Sequence, residues 1–369
     1  MKQSINAGGY AYVFDEDGNL WISSMGYNGL VKYDRRTREI EYVKQFDNYS
    51  IIKRNIHGNA KRIENRLFFF PLVSNYVHIY DLKNETETSI EIPKETGVTS
   101  FSRSVYEYKN FFLLFPTYLN GTIWKINSST GEVSKHEQLT EFVNHYTIEE
   151  RKYSAITFEN NQMIISLPIR REILILDLID FKKKTIPLNI KYKIQHMCVR
   201  NNNLLVTVSD VFNIYMINLE TGESREYSTL EYASSEKERI DPYSDILSID
   251  KFLIASNYYA PNICFIDEEE KFLNFNKMFL NSCKIGENGG YGALYCGMIV
   301  KENKVFFVPG RSTNLIEFDC QTKDCKCIKF MITKFRSTKV ERLFVNQLMH
   351  YQEEGLFTLK DLIAFCISN

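Results

Sequence analysis

The sequence predicts an all-β fold, a seven-bladed β-propeller of four-stranded antiparallel blades over residues 1–332, followed by a short C-terminal helical tail over 333–369. Three repeating observations predict it. A short apolar run recurs along the chain, an alternating strand ending in Asp or Asn follows each run, and a polar strand follows each of those.

The apolar runs are LWISS at 20–24, LFFFP at 67–71, FFLLFP at 111–116, MIISLP at 163–168, LLVTVS at 204–209, FLIAS at 252–256 and VFFVP at 305–309. Their spacing of about 41 to 53 residues is the length of one four-stranded blade. Each run reads as a strand buried on both faces and closed by a turn. The alternating strands end at Asp34, Asp81, Asn127, Asp177, Asn218, Asp267 and Asp319. An Asp or Asn at that point opens a hairpin by bonding the backbone two residues on, and glycine supplies positive φ. The polar strands, among them TSIEIP, EVSKHEQL and CKCIKF, suit the outer edge of a blade, where charge discourages pairing with other molecules.

Composition narrows the function classes. Lys and Arg number 45 against 46 Asp and Glu, a net charge of −1, so no global basic face for nucleic acid or an anionic membrane is expected. No apolar run is long enough to span a bilayer. The opening MKQSINAGGYAYVF lacks an apolar core and a small-residue cleavage site, and the expectation is a cytoplasmic protein with its eight cysteines reduced. Cys320, Cys325 and Cys327 gather on the last hairpin without a fourth ligand, which makes a poor zinc site.

The stretch from Asp15 to Asp34, DEDGNLWISSMGYNGLVKYD, resembles the repeats of the NHL, virginiamycin B lyase and two-component-regulator propeller groups. The resemblance is one of fold over about 320 residues, clearest in the first repeat. It implies ligand binding where loops converge on a central channel. The virginiamycin B lyase group implies in addition a central histidine base with a metal-supported carboxylate, for which His57, His196 and Asp245 fall in the corresponding region without a matching motif.

Taking one inner position of the first strand of each repeat gives Ala11, His57, Ser102, Ser154, Gln195, Asp245 and Tyr295. A mostly polar set in an apolar fold reads as a wet channel lining or as a ligand site. An Asn precedes the third strand of most repeats, at Asn28, Asn75, Asn120, Asn213, Asn262 and Asn314, where tolerance of left-handed backbone accounts for it. The fourth repeat carries Arg170 and Arg171 instead, and with Arg103 and Arg311 these could read an anion. Of the six histidines, His78 is expected to be structural and His136 to lie on an edge strand; none pairs with another at ligand spacing in the sequence.

Long connections at 140–152, 230–244 and 283–293 exceed what a crossing between blades needs, and loops on a rigid scaffold carry recognition. Tyr146, Tyr153, Tyr243, Tyr258, Tyr259 and Tyr291 make that end aromatic. In the tail, Thr338 to Glu341 and Thr358 to Asp361 read as capping boxes of two helices, the first with Leu343, Phe344, Leu348 and Tyr351 on one side and ended by Gly355. The pair is expected to pack on the propeller, the alternative being that it docks a partner.

Two functional readings follow. One is a non-catalytic propeller that binds a peptide, protein or small polar ligand through Ser102, Arg103, Tyr153, Ser154, Arg170, Gln195, Tyr243, Tyr258, Tyr291, Tyr295 and Arg311, with no cofactor. The other is a lyase- or hydrolase-type enzyme of a biosynthetic pathway, with His57 or His196 as general base, Asp245 beside it, and a divalent metal entering only under this reading. No nucleophile elbow, phosphate-binding loop, zinc-protease motif or dinucleotide fingerprint is present, and the glycine-rich Gly286 to Gly292 precedes a strand rather than a helix.

Overall fold

A computed structural model describes residues 7–94, 100–117, 121–147, 155–211, 213–228, 243–250, 252–257, 263–266, 272–274, 295–310, 312 and 314–353. The fold is an all-β propeller of antiparallel blades with a C-terminal helix. The chain divides into two compact units, Met1–Lys94 with Ser282–Asn369, and Glu95–Asn281.

In the first unit, Ala11–Phe14, Leu20–Ser23, Leu30–Tyr33 and Ile40–Lys44 form one sheet, His57–Ile63, Arg66–Pro71, Tyr76–Asp81 and Thr86–Glu91 a second, and Tyr295–Lys301, Lys304–Pro309, Asn314–Asp319 and Cys325–Lys329 a third. In the second unit the sheets run from Phe101–Tyr108 to Val133–Lys135, from Ile156–Glu159 to Lys183–Pro187, from Ile194–Arg200 to Ser224–Ser228 and from Tyr243–Ile249 to Phe272–Asn274.

Six of these sheets are four-stranded; the sheet of Ala11–Lys44 is five-stranded because Lys334–Phe335 adds to its outer edge, parallel to Ile40–Lys44. The expectation of seven like blades is corrected on that point. The cause is local. Thr333 bonds Ile40 through both its backbone and its hydroxyl, Arg336 N–H donates to the carbonyl of Tyr42, and the Arg336 guanidinium forks onto both oxygens of Glu41 at 3.1 Å. A bidentate pair of this kind fixes direction as well as distance.

The second strand of each blade is buried on both faces, as its continuous apolar run requires. Leu67, Phe68, Phe69 and Phe70 have no exposed surface, because Leu67 and Phe69 pack into the preceding sheet with Trp21 and Val43 while Phe68 and Phe70 point the other way. The hairpins that follow are pinned by the residue read from sequence. Asp34, Asp81, Asn127, Asp177, Asn218 and Asp319 each accept from the backbone N–H groups two and three residues on, at 2.7 to 3.2 Å. Asp267 lies outside the described residues. The fourth residue after each is left-handed, and glycine holds that place only at Gly131 and Gly222; Arg38, Glu85, Phe181 and Lys323 hold it elsewhere.

In the first repeat the Asp15 carboxylate takes the backbone and side-chain amides of Asn19 and the indole N–H of Trp21, all within 2.9 Å. The most recognisable stretch of the sequence is thus a buried lock on a turn. The preceding-strand asparagines are likewise bonded rather than bent: none of Asn28, Asn75, Asn213 and Asn314 has positive φ. Asn28 instead holds the 46–49 loop through Phe46 and Tyr49, and Asn75 and Asn213 reach across to Glu91 and Glu226.

Two helices are described. Helix α1, Glu137–Thr147, stands where the end of an edge strand and a long connection from 140 were expected, and pushes Leu139 and Val143 into the core beside Leu113, Ile165 and Leu174. His136 is not on an edge strand; its ring nitrogen caps α1 by accepting from the N–H of Leu139 at 3.4 Å. Helix α2, Thr338–Glu353, is capped by Ser337, one residue earlier than the sequence suggests, through the N–H of Val340. Phe344 is its anchor, set edge-on to Tyr27 and Tyr42 and tilted against Phe335, whereas Leu343 is half exposed and not on the packed side. The side chains of Leu348 and Tyr351, Gly355 and the second capping box lie outside the described residues.

Two substitutions test these local rules. Asp15→Ala leaves three buried donors without their acceptor, and about 2–3 kcal/mol of stability is expected to be lost in urea unfolding. Lys323→Gly relieves a left-handed φ of 60° at an exposed site and is expected to gain about 0.5–1 kcal/mol in the same assay.

Candidate functional site

The inner ends of several first strands are not straight. The ladder slips by one residue between His57 and Asn59, Ile194 and His196, Tyr243 and Asp245, and Tyr295 and Gly297. A bulge of this kind re-aims the side chains on either side of it. It also splits the set expected to share one register. His57 and Tyr295 pair with Pro71 and Pro309 before the bulge, Asp245 pairs with Ser256 beyond it, Gln195 is the bulged residue itself, and Ala11 pairs with Ser23 in a ladder without a bulge.

The positions before the bulge are core. His57, Tyr243, Tyr295 and Ile194 are all at least 97% buried. Tyr243 packs with Leu205, Ile214 and Ile246, and Tyr295 stands edge-on to Phe307. The two tyrosines expected to line a ligand site fill the interior instead. Gln195, His196 and Asp245 are half-buried, and Arg170 is half-buried in the turn after Leu167. Tyr153, Ser154, Tyr258, Tyr291, Arg311 and the side chain of Ser102 lie outside the described residues, as do Tyr146's side chain, Tyr259 and most of the 230–244 and 283–293 segments.

In the first unit the structure builds a polar line that sequence spacing did not suggest. Ser23 Oγ lies 2.7 Å from His57 Nδ1, His57 Nε2 lies 2.7 Å from His78 Nδ1, and His78 Nε2 lies 3.1 Å from the backbone carbonyl of Asp47. Glu87 sits 3.8 Å from His78 Nε2, accepts from the Asp47 N–H at 3.0 Å, and is paired with Lys44 at 2.6 Å. Phe46 and Phe69 close over His57, and Phe46, Tyr49 and Tyr76 over His78.

Sequence spacing gives no sign of this pairing: residues 21 apart in sequence meet because one starts the first strand and the other sits in the third strand of the same sheet. Burial pulls His57 well below the ordinary histidine value, with His78 adding to the effect, and burial brings His78 to about 4. Burial pushes the Glu87 carboxyl up against the opposing pull of Lys44.

In the second unit a separate group forms on the inner strands. Burial and the Arg103 guanidinium hold His196 down to about 3, against a bond with the backbone of Tyr243. Burial and the Asp245 carboxylate push the Cys198 thiol up, opposed by Arg200. Arg103 with His196, and Cys198 with Asp245, are the pairs the fold brings into electrostatic reach. Among the described residues no group of three or more His, Cys, Asp or Glu side chains is placed to hold a metal ion. No helix among the described residues is long and apolar enough to cross a membrane.

These buried neutral histidines set an acid dependence. The unfolded chain binds protons near 6.5 and the folded one does not, so stability is level above pH 6.5 and falls as pH drops toward the folded values. His78 alone is expected to account for roughly 3 kcal/mol between pH 6.5 and about 4. Glu87, raised in the fold, works in the opposite direction and reduces the slope. Urea midpoints at pH 4.5 and 7 measure the difference, and His78→Gln is expected to flatten it.

No family model matches the chain, and no curated protein matches it. Solved structures do. Virginiamycin B lyase from Staphylococcus aureus superposes with a TM-score of 0.58 at 13% identity, over 83% of this chain and 95% of that one. A streptogramin B lyase gives 0.57 at 17% identity, over 83% and 93%. The computationally designed Ika8 protein gives 0.52 at 10% identity, over 90% of each chain. At such identities, with a natural enzyme and a designed scaffold side by side, the likeness is to a fold. What these chains share with this one is the β-propeller.

Proposed function

We propose that this chain is a non-catalytic, cytoplasmic propeller that binds a peptide, protein or small polar ligand at the loop-bearing inner ends of its blades. One observation carries the reading: the histidines that an enzyme of this fold would use as bases are committed elsewhere. His57 spends both ring nitrogens on Ser23 and His78 inside the fold. His196, held to about 3, is a feeble proton acceptor near neutrality, where a general base works best with a matched value. Arg103, Gln195 and Arg170 are polar groups whose chemistry suits recognition of a carboxylate or other polar ligand.

The second reading, a lyase or hydrolase, is favoured by the Arg103–His196 pair with Asp245 on the neighbouring inner strand, and by the fold of the two lyases. A panel of peptides and polar metabolites, followed by thermal shift and by mass spectrometry of the panel compounds, separates the two. Binding is expected to stabilise the protein by about 2.7 kcal/mol at a hundred-fold excess over Kd, with every compound recovered intact and with the same outcome for His196→Gln. Consumption of a compound by the wild type that His196→Gln abolishes would sink the binding reading.

A further inference from the structure

The line from Ser23 to Asp47 has one arrangement of hydrogens at neutral pH, because it ends on a group that can only accept. The Asp47 carbonyl requires His78 to carry its proton on Nε2, which leaves His78 Nδ1 bare. His57 must then carry its proton on Nε2 to donate to that nitrogen, which leaves its own Nδ1 bare for the Ser23 hydroxyl. Every donor points from Ser23 toward Asp47.

We propose that Ser23, His57 and His78 form a one-proton switch, in which a proton from solvent acid, admitted when the fold opens locally around the buried Ser23, is stored on His78 and reverses the two bonds behind it. The balance is simple. The incoming proton binds Ser23 Oγ, the hydroxyl proton passes to His57 Nδ1, and the His57 Nε2 proton passes to His78 Nδ1. One proton is consumed, His57 ends neutral in the other tautomer, and His78 ends as the cation. Ser23 then accepts from His57, and its own hydrogen must find a new acceptor, so the charge state beside the 45–49 loop is read at a hydroxyl on the neighbouring sheet.

The surroundings favour a single proton and a defined seat for it. A second would set two cations 2.7 Å apart, so the pair titrates as one unit. On the strands packed around the rings, Glu87 at 3.8 Å and the Asp47 carbonyl favour charge on His78, and Lys44, paired with Glu87, opposes it. Tyr49 and Tyr76 face His78 as rings, Phe46 and Phe69 face His57, and Ser23 is the hydrogen-bond partner of His57 at the far end. The lining of a cavity of about 430 Å³ under α2 includes Lys44, Phe46, Asp47 and Tyr49, so the storage end of the line borders a groove.

Imidazole nitrogen NMR of the full chain, with labelled histidine, tests this from pH 7.5 down to 4. Both rings are expected as the Nε2–H tautomer at pH 7, with no titration of either near 6.5. One common step is expected at lower pH, at which His57 becomes Nδ1–H and His78 doubly protonated while the near-ultraviolet circular dichroism is kept. Glu87→Gln is expected to move the step down by a pH unit or more and Lys44→Gln to move it up. An Nδ1–H tautomer on either ring at pH 7, two independent titrations, a step that coincides with loss of the near-ultraviolet signal, or shifts of the same sign in the two variants would each overturn the proposal.

Discussion

The requirement that governs this molecule is that each small sheet must hide two apolar faces at once. A strand such as Leu67–Phe70, with no exposed surface on either side, cannot be satisfied within its own sheet, and the neighbouring sheets supply the cover. Everything polar has to be arranged around that demand. Backbone groups at the hairpins are taken up by Asp and Asn carboxyl or amide oxygens, and the polar side chains caught between sheets are bonded to one another, as Ser23, His57 and His78 are.

Much of this was legible in the sequence because it repeats. Continuous apolar runs marked the second strands, and the Asp or Asn closing each third strand marked its hairpin to within a residue. What was not legible depends on residues that break the repeat. A single bulged residue at Gln195 or between Tyr243 and Asp245 shifts the register, and a shift of one turns a lining position into a core position. The 137–147 segment read as the end of an edge strand followed by a long connection, yet Leu139 and Val143 seat a helix there.

The histidine pair shows the same limit from another side. His57 opens a first strand and His78 lies in the third strand of the same sheet, and ladder arithmetic brings them within two residues of register through Pro71 and Phe69. Counting along the chain hid this, since 21 residues is no ligand spacing; counting across the sheet would have found it. Ser23 was beyond either count, because it comes from the adjacent sheet, and which faces meet between sheets is a property of packing.

The Arg336 fork on Glu41 joins a residue near the end of the chain to one near its beginning, and Lys334–Phe335 occupies an edge of the very first sheet. During synthesis that edge has no partner until more than three hundred residues have been made. The first blade therefore waits, with its outer backbone groups unpaired, for Lys334–Phe335 to leave the ribosome. A nascent chain stalled before Thr333 would carry an open strand edge, a natural landing place for a chaperone or for another unfinished copy.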